Sequence, residues 1–233
     1  MRTHQCGRVG VRRVVRLRAA VLAAVFVAAA AGCFPPPDRD KPKSPEPAAA
    51  AVGRIDALDG KAVLIHGDQR IAATAGYPVF AGDRLETGAG GKVQVTLADH
   101  SVVAIGSGTT LVVSELLLEG GNRTGRLSVA IGKFWLHVTQ WKKGESNYEI
   151  ATPNAVAGVR GTTLWGDTGV DAICALDGTV EVRSLKAAGL APATLTTGNC
   201  ASALSQGKLE PLAPSKETVA GYLAEVLIPS APR

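Results

Sequence analysis

The chain has 233 residues, with 25 basic and 20 acidic side chains, 4% aromatic residues and four cysteines. Its formal charge of +5 points towards an acidic partner such as nucleic acid, yet residues 1–32 alone hold six arginines and no acid, so the remainder carries −1. That remainder has no basic stripe interleaved with aromatics, which excludes a nucleic-acid partner.

Arg2, Arg8, Arg12, Arg13, Arg16 and Arg18 precede an unbroken apolar run from Ala19 to Ala31, the n-region and h-region of a secretory leader. The run falls short of the roughly 18 to 20 residues that a mature membrane-spanning helix needs. Ala30-Ala31-Gly32-Cys33 then resembles a lipobox, which makes residues 1–32 a lipoprotein signal peptide and Cys33 the acylated first residue. The alternative is an ordinary A-x-A-like cleavage site with Cys33 unmodified. Arg12-Arg13 leaves twin-arginine export open, although Val11 and the rest of that motif fit it poorly. Residues 33–51, with Phe34-Pro35-Pro36-Pro37 and the stretch from Pro47 to Ala51, have almost nothing to bury and read as an extended tether. Phe34 after the cysteine, where aspartate would favour the inner membrane, resembles sorting to the periplasmic face of the outer membrane.

Residues 52–200 change character to short runs of valine, isoleucine, leucine and threonine broken by glycine. Lys92 to Leu97 and Arg126 to Ile131 alternate with period two, as half-buried strands do, and Phe134, Leu136 and Val138 resume the alternation after Gly132, which suggests a bend or bulge. Helical periodicity is absent there, so the expected fold is all-β: one domain of short antiparallel strands and hairpins, roll-like or sandwich-like. Ala57 to Leu64, Leu97 to Ala104 and Ala175 to Val182 each run from an apolar residue through Asp-Gly or Asp-His into an alternating strand, and are expected to be hairpin tips. Their unequal spacing does not establish a solenoid.

Cys174 and Cys200 are the cysteines left after Cys6 leaves with the leader and Cys33 is acylated, and in an oxidising compartment they are expected to be bridged. A metal or redox pair is the rival reading, without a C-x-x-C or neighbouring histidines to support it. In residues 201–233 the stretch from Ser202 to Pro214 reads as a loop, after which Ser215 caps a short helix with Val219, Tyr222, Leu223, Val226 and Leu227 on one face. That face either packs on the β domain or docks on a partner, and Gly221 makes the helix dependent on such contact.

Gly82-Asp83-Arg84-Leu85-Glu86-Thr87-Gly88 and Leu97 to Gly106 begin a pattern that becomes specific at Tyr148 to Thr162 and again at Ala175 to Val182. Thr152-Pro153, Gly158-Val159-Arg160-Gly161-Thr162 and Asp177-Gly178, in that order over residues 53–198, resemble the core of the FecR domain family. The resemblance implies an extracytoplasmic sensory or regulatory domain. The family is best known through inner-membrane regulators that sense a TonB-dependent transporter and control a sigma factor through a cytoplasmic part; this chain departs from that arrangement, so sigma-factor control is not carried over.

On their own terms, Thr152-Pro153 ends a strand because proline lacks the ladder donor. Gly158 and Gly161 let the backbone turn sharply or another strand approach. Arg160 then organises the turn through neighbouring carbonyls or a carboxylate, or binds a ligand.

The chemistry-bearing residues do not assemble into a catalytic site. Asp99-His100-Ser101 has the letters of a hydrolase triad, but strand neighbours face opposite sides. Asp59, Asp83, Asp99 and Asp177 sit in turns, where capping explains them. His66, His100 and His137 are scattered, no metal-ligand spacing occurs, and no cofactor is implied. Trp135, Trp141 and Trp165 either pack inside or contact a ligand, with Trp141-Lys142-Lys143 the most plausible exposed patch. The sequence therefore implies a non-catalytic lipoprotein of the envelope, held at the membrane by its anchor, whose β domain binds another envelope protein. Binding of an extracellular ligand or glycan through the tryptophans is the alternative.

Overall fold

The structure, a computed structural model, describes residues 50–186, 189–202 and 210–229, with the backbone alone at 210–212. The leader, Cys33 and all but the last two residues of the tether lie outside the described residues.

Alternation of apolar and polar side chains buries one face of each strand, and the chain satisfies those faces by distributing its strands between two facing sheets. β1 (Gly53–Asp59) enters the first sheet, β2 (Ala62–His66) and β3 (Gln69–Ala72) the second, β4 (Pro78–Val79) the first and β5 (Arg84–Thr87) the second. β6 (Lys92–Leu97) and β7 (Val102–Ile105) return to the first sheet, β8 (Thr110–Glu119) and β9 (Asn122–Ile131) to the second. β10 (Lys133–His137) is in the first, β11 (Ser146–Ala151) and β12 (Ala155–Val159) in the second, β13 (Thr163–Asp167) and β14 (Ala172–Asp177) in the first. β15 (Thr179–Ser184) and β16 (Ala193–Thr196) close the second sheet, and β17 (Cys200–Ser202) and β18 (Glu210–Leu212) the first. Among the described residues each sheet has nine strands, and both grow from one edge to the other nearly in chain order. The fold is thus all-β, a progressive sandwich with one short helix among those residues.

Ile55, Val93, Val95, Phe134 and Leu136 of the first sheet meet Leu64, Leu85, Val113, Leu127, Val129 and Ile150 of the second in a single core. Because β10 is a single strand between β9 and β11, the chain returns to the second sheet in the direction it left, and β11 pairs parallel with β9. Among the described residues every other strand pair is antiparallel.

Of the three expected hairpin tips, only Leu97 to Ala104 is one, with β6 paired to β7. Asp59-Gly60 and Asp177-Gly178 are corners that carry the chain between sheets, from β1 to β2 and from β14 to β15. A corner and a hairpin both need a tight left-handed residue, supplied here by Gly60 at φ +75° and Gly178 at φ +80°, so the local signal is shared. Gly132 is the bend expected between two strand segments, and it turns the chain from β9 into β10 in the opposite sheet. Glu210–Leu212 forms β18 against β17 within the stretch read as loop, with Pro211 on an edge strand where its missing donor is tolerated.

Helix α1 (Lys216–Val226) starts where Ser215 accepts a hydrogen bond from the Thr218 amide. Tyr222, Leu223, Val226 and Leu227 settle on the outer face of the first sheet, over Val102, Ala104, Trp135, Trp165, Cys174 and Cys200. This cover explains why β7, β10, β13 and β14 are buried on both faces. Trp165 stacks on Tyr222 with ring centroids 3.9 Å apart. Lys92 donates to the Ala224 carbonyl at 2.6 Å, meeting the negative end of the helix dipole, and Lys133 pairs with Glu225 at 2.8 Å. Cys174 and Cys200 face one another across β14 and β17, Cα atoms 3.9 Å apart, and are disulfide-bonded. Among the described residues no helix is long and apolar enough to cross a membrane.

Tyr222→Ala is expected to unseat the helix and cost about 2 kcal/mol in lost area and stacking. Red-shifted tryptophan emission and faster proteolysis of the C-terminal segment, with the sandwich still folded, are the readouts; unchanged emission would show that Trp165 does not depend on this contact.

Candidate functional site

At one end of the sandwich the two sheets are joined by an ion pair whose side chains are entirely buried, Arg123 to Asp99 at 2.8 Å. Asp99 occupies the β6–β7 turn, where His100 adopts φ +65° and stays exposed. Arg123 lies on β9 in the same parity as Leu127 and Val129, and therefore points inward.

A guanidinium has five N–H donors, and here each has an acceptor. Nε and Nη2 donate to Ser146 Oγ at 3.1 and 2.8 Å, Nη1 to Asp99 Oδ2 and Thr139 Oγ1 at 2.8 and 3.0 Å, and Nη2 also to the Thr139 carbonyl at 3.0 Å. Asp99 additionally accepts from the Ser101 amide and hydroxyl at 3.1 and 2.8 Å. Thr139 closes the network by donating its hydroxyl to the Asp99 carbonyl and its amide to Ser101 Oγ. Trp141 and Tyr148 cover the guanidinium, their ring centroids 4.9 and 5.2 Å from its carbon.

Tyr148 fits because its cross-strand neighbour is Gly125, where any Cβ would run into the phenol ring. Its hydroxyl is buried and, beyond a weak approach to Ser101, makes no hydrogen bond among the described residues. Burial, then the Asp99 charge, push the phenol far above its ordinary range, against the weaker pull of Arg123 and Ser101.

The loop between β10 and β11 is held over this pair. Trp141 Nε1 donates to the Gly121 carbonyl at 2.8 Å, the Arg123 amide to the Glu145 carbonyl at 2.9 Å, and the Glu145 amide to Asn122 Oδ1 at 3.0 Å. Lys143 lies 5.6 Å from the Trp141 ring centroid. Beside the loop opens a cleft of about 740 Å³ lined by Gln140, Trp141, Lys142, Glu145, Asn147 and Arg160, among others. A second, of about 430 Å³, runs along Glu149, Gly158, Glu181 and Thr194 and shares Arg160.

The residues singled out in the sequence divide between this end and elsewhere. Thr152 and Pro153 terminate β11, and the Thr152 hydroxyl accepts from the Ala155 amide at 3.1 Å. Val159 is buried in the core, while Gly161, at φ +60°, turns the chain against Gln140. Thr162 packs on Gly178, where a Cβ would meet its methyl at 2.5 Å, so the two parts of the motif touch. Gly158 has no crowding neighbour, contrary to the expected close approach; a Cβ there would meet only the Glu181 carbonyl, at 3.8 Å. Arg160 organises no turn, because its side chain is exposed and has no hydrogen-bond or ion-pair partner among the described residues. Gly82 and Asp83 lie apart, in the β4–β5 turn, where Asp83 accepts from the Phe80 amide at 2.8 Å and meets His66 Nδ1 at 2.6 Å.

Arg123, the centre of the site, is not marked by any motif in its local sequence. The available signal was parity: the alternation of Leu127 and Val129, run backwards, places Gly125 and Arg123 on the core face. Asp99 and Ser101 are hydrogen-bonded to one another while His100 faces solvent, so the three form no nucleophile–base pair. Among the described residues no three His, Cys, Asp or Glu side chains gather as a metal site.

Residues 83–183 match the model of the family described as FecR protein. No curated protein matches the chain. Two crystal structures of a candidate anti-sigma factor from Parabacteroides distasonis ATCC 8503 are similar at 18% identity, with TM-scores of 0.48 and 0.47 over 60% of this chain. The chain spans 64% and 63% of those proteins' length.

Removing one member of a buried pair strands the other, so Asp99→Asn or Arg123→Met is expected to cost about 3–5 kcal/mol in urea denaturation. The double variant should cost clearly less than the sum of the two; strict additivity would mean that the charges do not act together. Tyr148 stays protonated in the folded chain while the unfolded chain ionises at its ordinary 10.0, so its stabilisation is complete below pH 10 and declines above it. Lys133, raised chiefly by its hydrogen bond to Glu225, acts in the same direction above its ordinary 10.5. Urea midpoints at pH 8 and 11 are expected to fall more in the wild type than in Tyr148→Phe, and an equal fall would remove Tyr148 as a cause.

Proposed function

We propose that the chain, whose residues 83–183 match the FecR protein family, is a non-catalytic, lipid-anchored envelope protein that binds another protein as a sensory or regulatory module. The observation that carries this reading is the contrast at the end of the sandwich. The groups with chemical potential, Asp99, Ser101, Arg123 and Tyr148, are held together beneath the surface, whereas Arg160 and Lys142 have no partner among the described residues and line an open cleft. A surface of this kind, rigid beneath and unpaired above, suits recognition better than turnover.

In this reading residues 1–32 are removed, acyl chains on Cys33 hold the protein at the periplasmic face of the outer membrane, and residues 33–51 give the β domain reach. The domain has no direct route to a cytoplasmic sigma factor from there, so any inward signal passes through its partner. The glycan alternative draws little support from the tryptophans. Trp135 and Trp165 lie beneath α1, and Trp141 is engaged by Gly121, Arg123 and Lys143.

Mass spectrometry of the mature amino terminus is expected to find an acylated Cys33, and Cys33→Ala to release the chain from membranes. Crosslinking in intact envelopes is expected to capture one stoichiometric protein. An unacylated terminus would overturn the anchor, and crosslinked envelopes that yield only the monomer would overturn the binding role.

A further inference from the structure

Seven arginines fall among the described residues, and five of them, Arg54, Arg70, Arg84, Arg123 and Arg126, pair with carboxylates. Arg160 and Arg183 do not, and only Arg160 stands at a cleft of the site. It follows Gly158, whose missing side chain no neighbour fills, and precedes Gly161, whose φ of +60° swings the chain away from the sheet. Gly161 packs on Gln140 while Gly158 meets no crowding neighbour, and between them the Arg160 side chain is exposed.

The two clefts differ in sign. On one side of Arg160 stand Lys142 and the amides of Gln140 and Asn147, with Glu145 the one lining acid. On the other, Glu149 and Glu181 flank Gly158 in cross-strand register. An anion is therefore drawn to the Lys142 side and repelled from the Glu149 side. The walls are preformed, because the β10–β11 loop is bonded to Gly121, Asn122 and Arg123. A planar guanidinium with free donors matches a carboxylate in bidentate fashion, and side-chain amides match peptide groups.

We propose that this cleft receives an acidic segment of a partner protein, with a carboxylate held by Arg160 and assisted by Lys142. The proposal rests on the protein-binding reading above and supplies its recognition chemistry.

The test uses the full-length chain in detergent and two short fluorescent peptides, one of alternating glutamate and glycine and the other of glutamine and glycine. The glutamate peptide is expected to bind, more weakly at high salt, and the glutamine peptide to bind at least about tenfold less well. Arg160→Gln should weaken the glutamate peptide about tenfold and Arg160→Lys by less, with circular dichroism unchanged. Arg183→Gln, outside both clefts, should have no effect. Equal binding of both peptides, full binding by Arg160→Gln, or an equal loss in Arg183→Gln would each overturn the site. If envelope crosslinking captures the same partner with wild type and Arg160→Gln, the carboxylate site fails while the binding role stands. If the peptide binds through Arg160 but crosslinked envelopes yield only the monomer, the binding role fails and the site survives.

Discussion

A buried guanidinium is tolerable only where its donors are satisfied and a counter-charge is close, and at Arg123 both conditions hold at once. Asp99 supplies the charge from the β6–β7 turn of the first sheet, Thr139 an oxygen from the β10–β11 connection and Ser146 one from β11, and Trp141 and Tyr148 exclude water. None of these partners is near Arg123 in the chain except through the strand pairing itself. The network therefore checks the fold: a slip of one residue in β9 would turn Arg123 to solvent and leave Asp99 buried alone.

The same dependence on pairing governs the larger architecture. Strands are added to two growing sheets in turn, so each part of the core is built largely from neighbours in the chain, as in repeat proteins, although the sequence repeats nothing at a fixed period. The switch between sheets is made by short corners, and β10, crossing alone, converts one antiparallel step into the parallel pairing of β9 and β11. That pairing brings Ser146 and Tyr148 beside Arg123 and Gly125, so the topological irregularity is also what assembles the site.

Local features were legible in the sequence. The period-two runs became β6 and β9, Ser215 caps α1, and the apolar stripe of α1 found cover on the β domain. Trp135, between Phe134 and Leu136 on one strand, faces the other way from them, into the helix-covered cluster. What escaped was information held between distant strands. An Asp-Gly corner satisfies the same backbone demand as an Asp-Gly hairpin, so Asp59-Gly60 and Asp177-Gly178 gave no sign of which sheet came next. Arg123 was hidden because Asp99, Thr139 and Ser146, the partners that hold it inside, are distant in the chain. Arg160 misled for the opposite reason: its donors suggested an internal role, but its side chain is exposed and has no partner among the described residues.

The two outer faces of the sandwich have been treated differently, and this asymmetry directs where a partner can act. On the first sheet α1, held by Lys92, Lys133 and the Trp165–Tyr222 stack, covers the disulfide and both buried tryptophans. The second sheet carries Glu86, Arg126, Glu149 and Glu181 outward, with charges paired along much of its length at Arg70–Glu86 and Arg126–Glu115. Exposed charge pairs of this type keep an open sheet soluble but offer a partner little, because each must be broken to be used. Arg160 breaks that pattern. A partner's carboxylate would give the guanidinium its first counter-charge at no cost in existing pairs, on a surface whose rigidity is set by the buried pair beneath it.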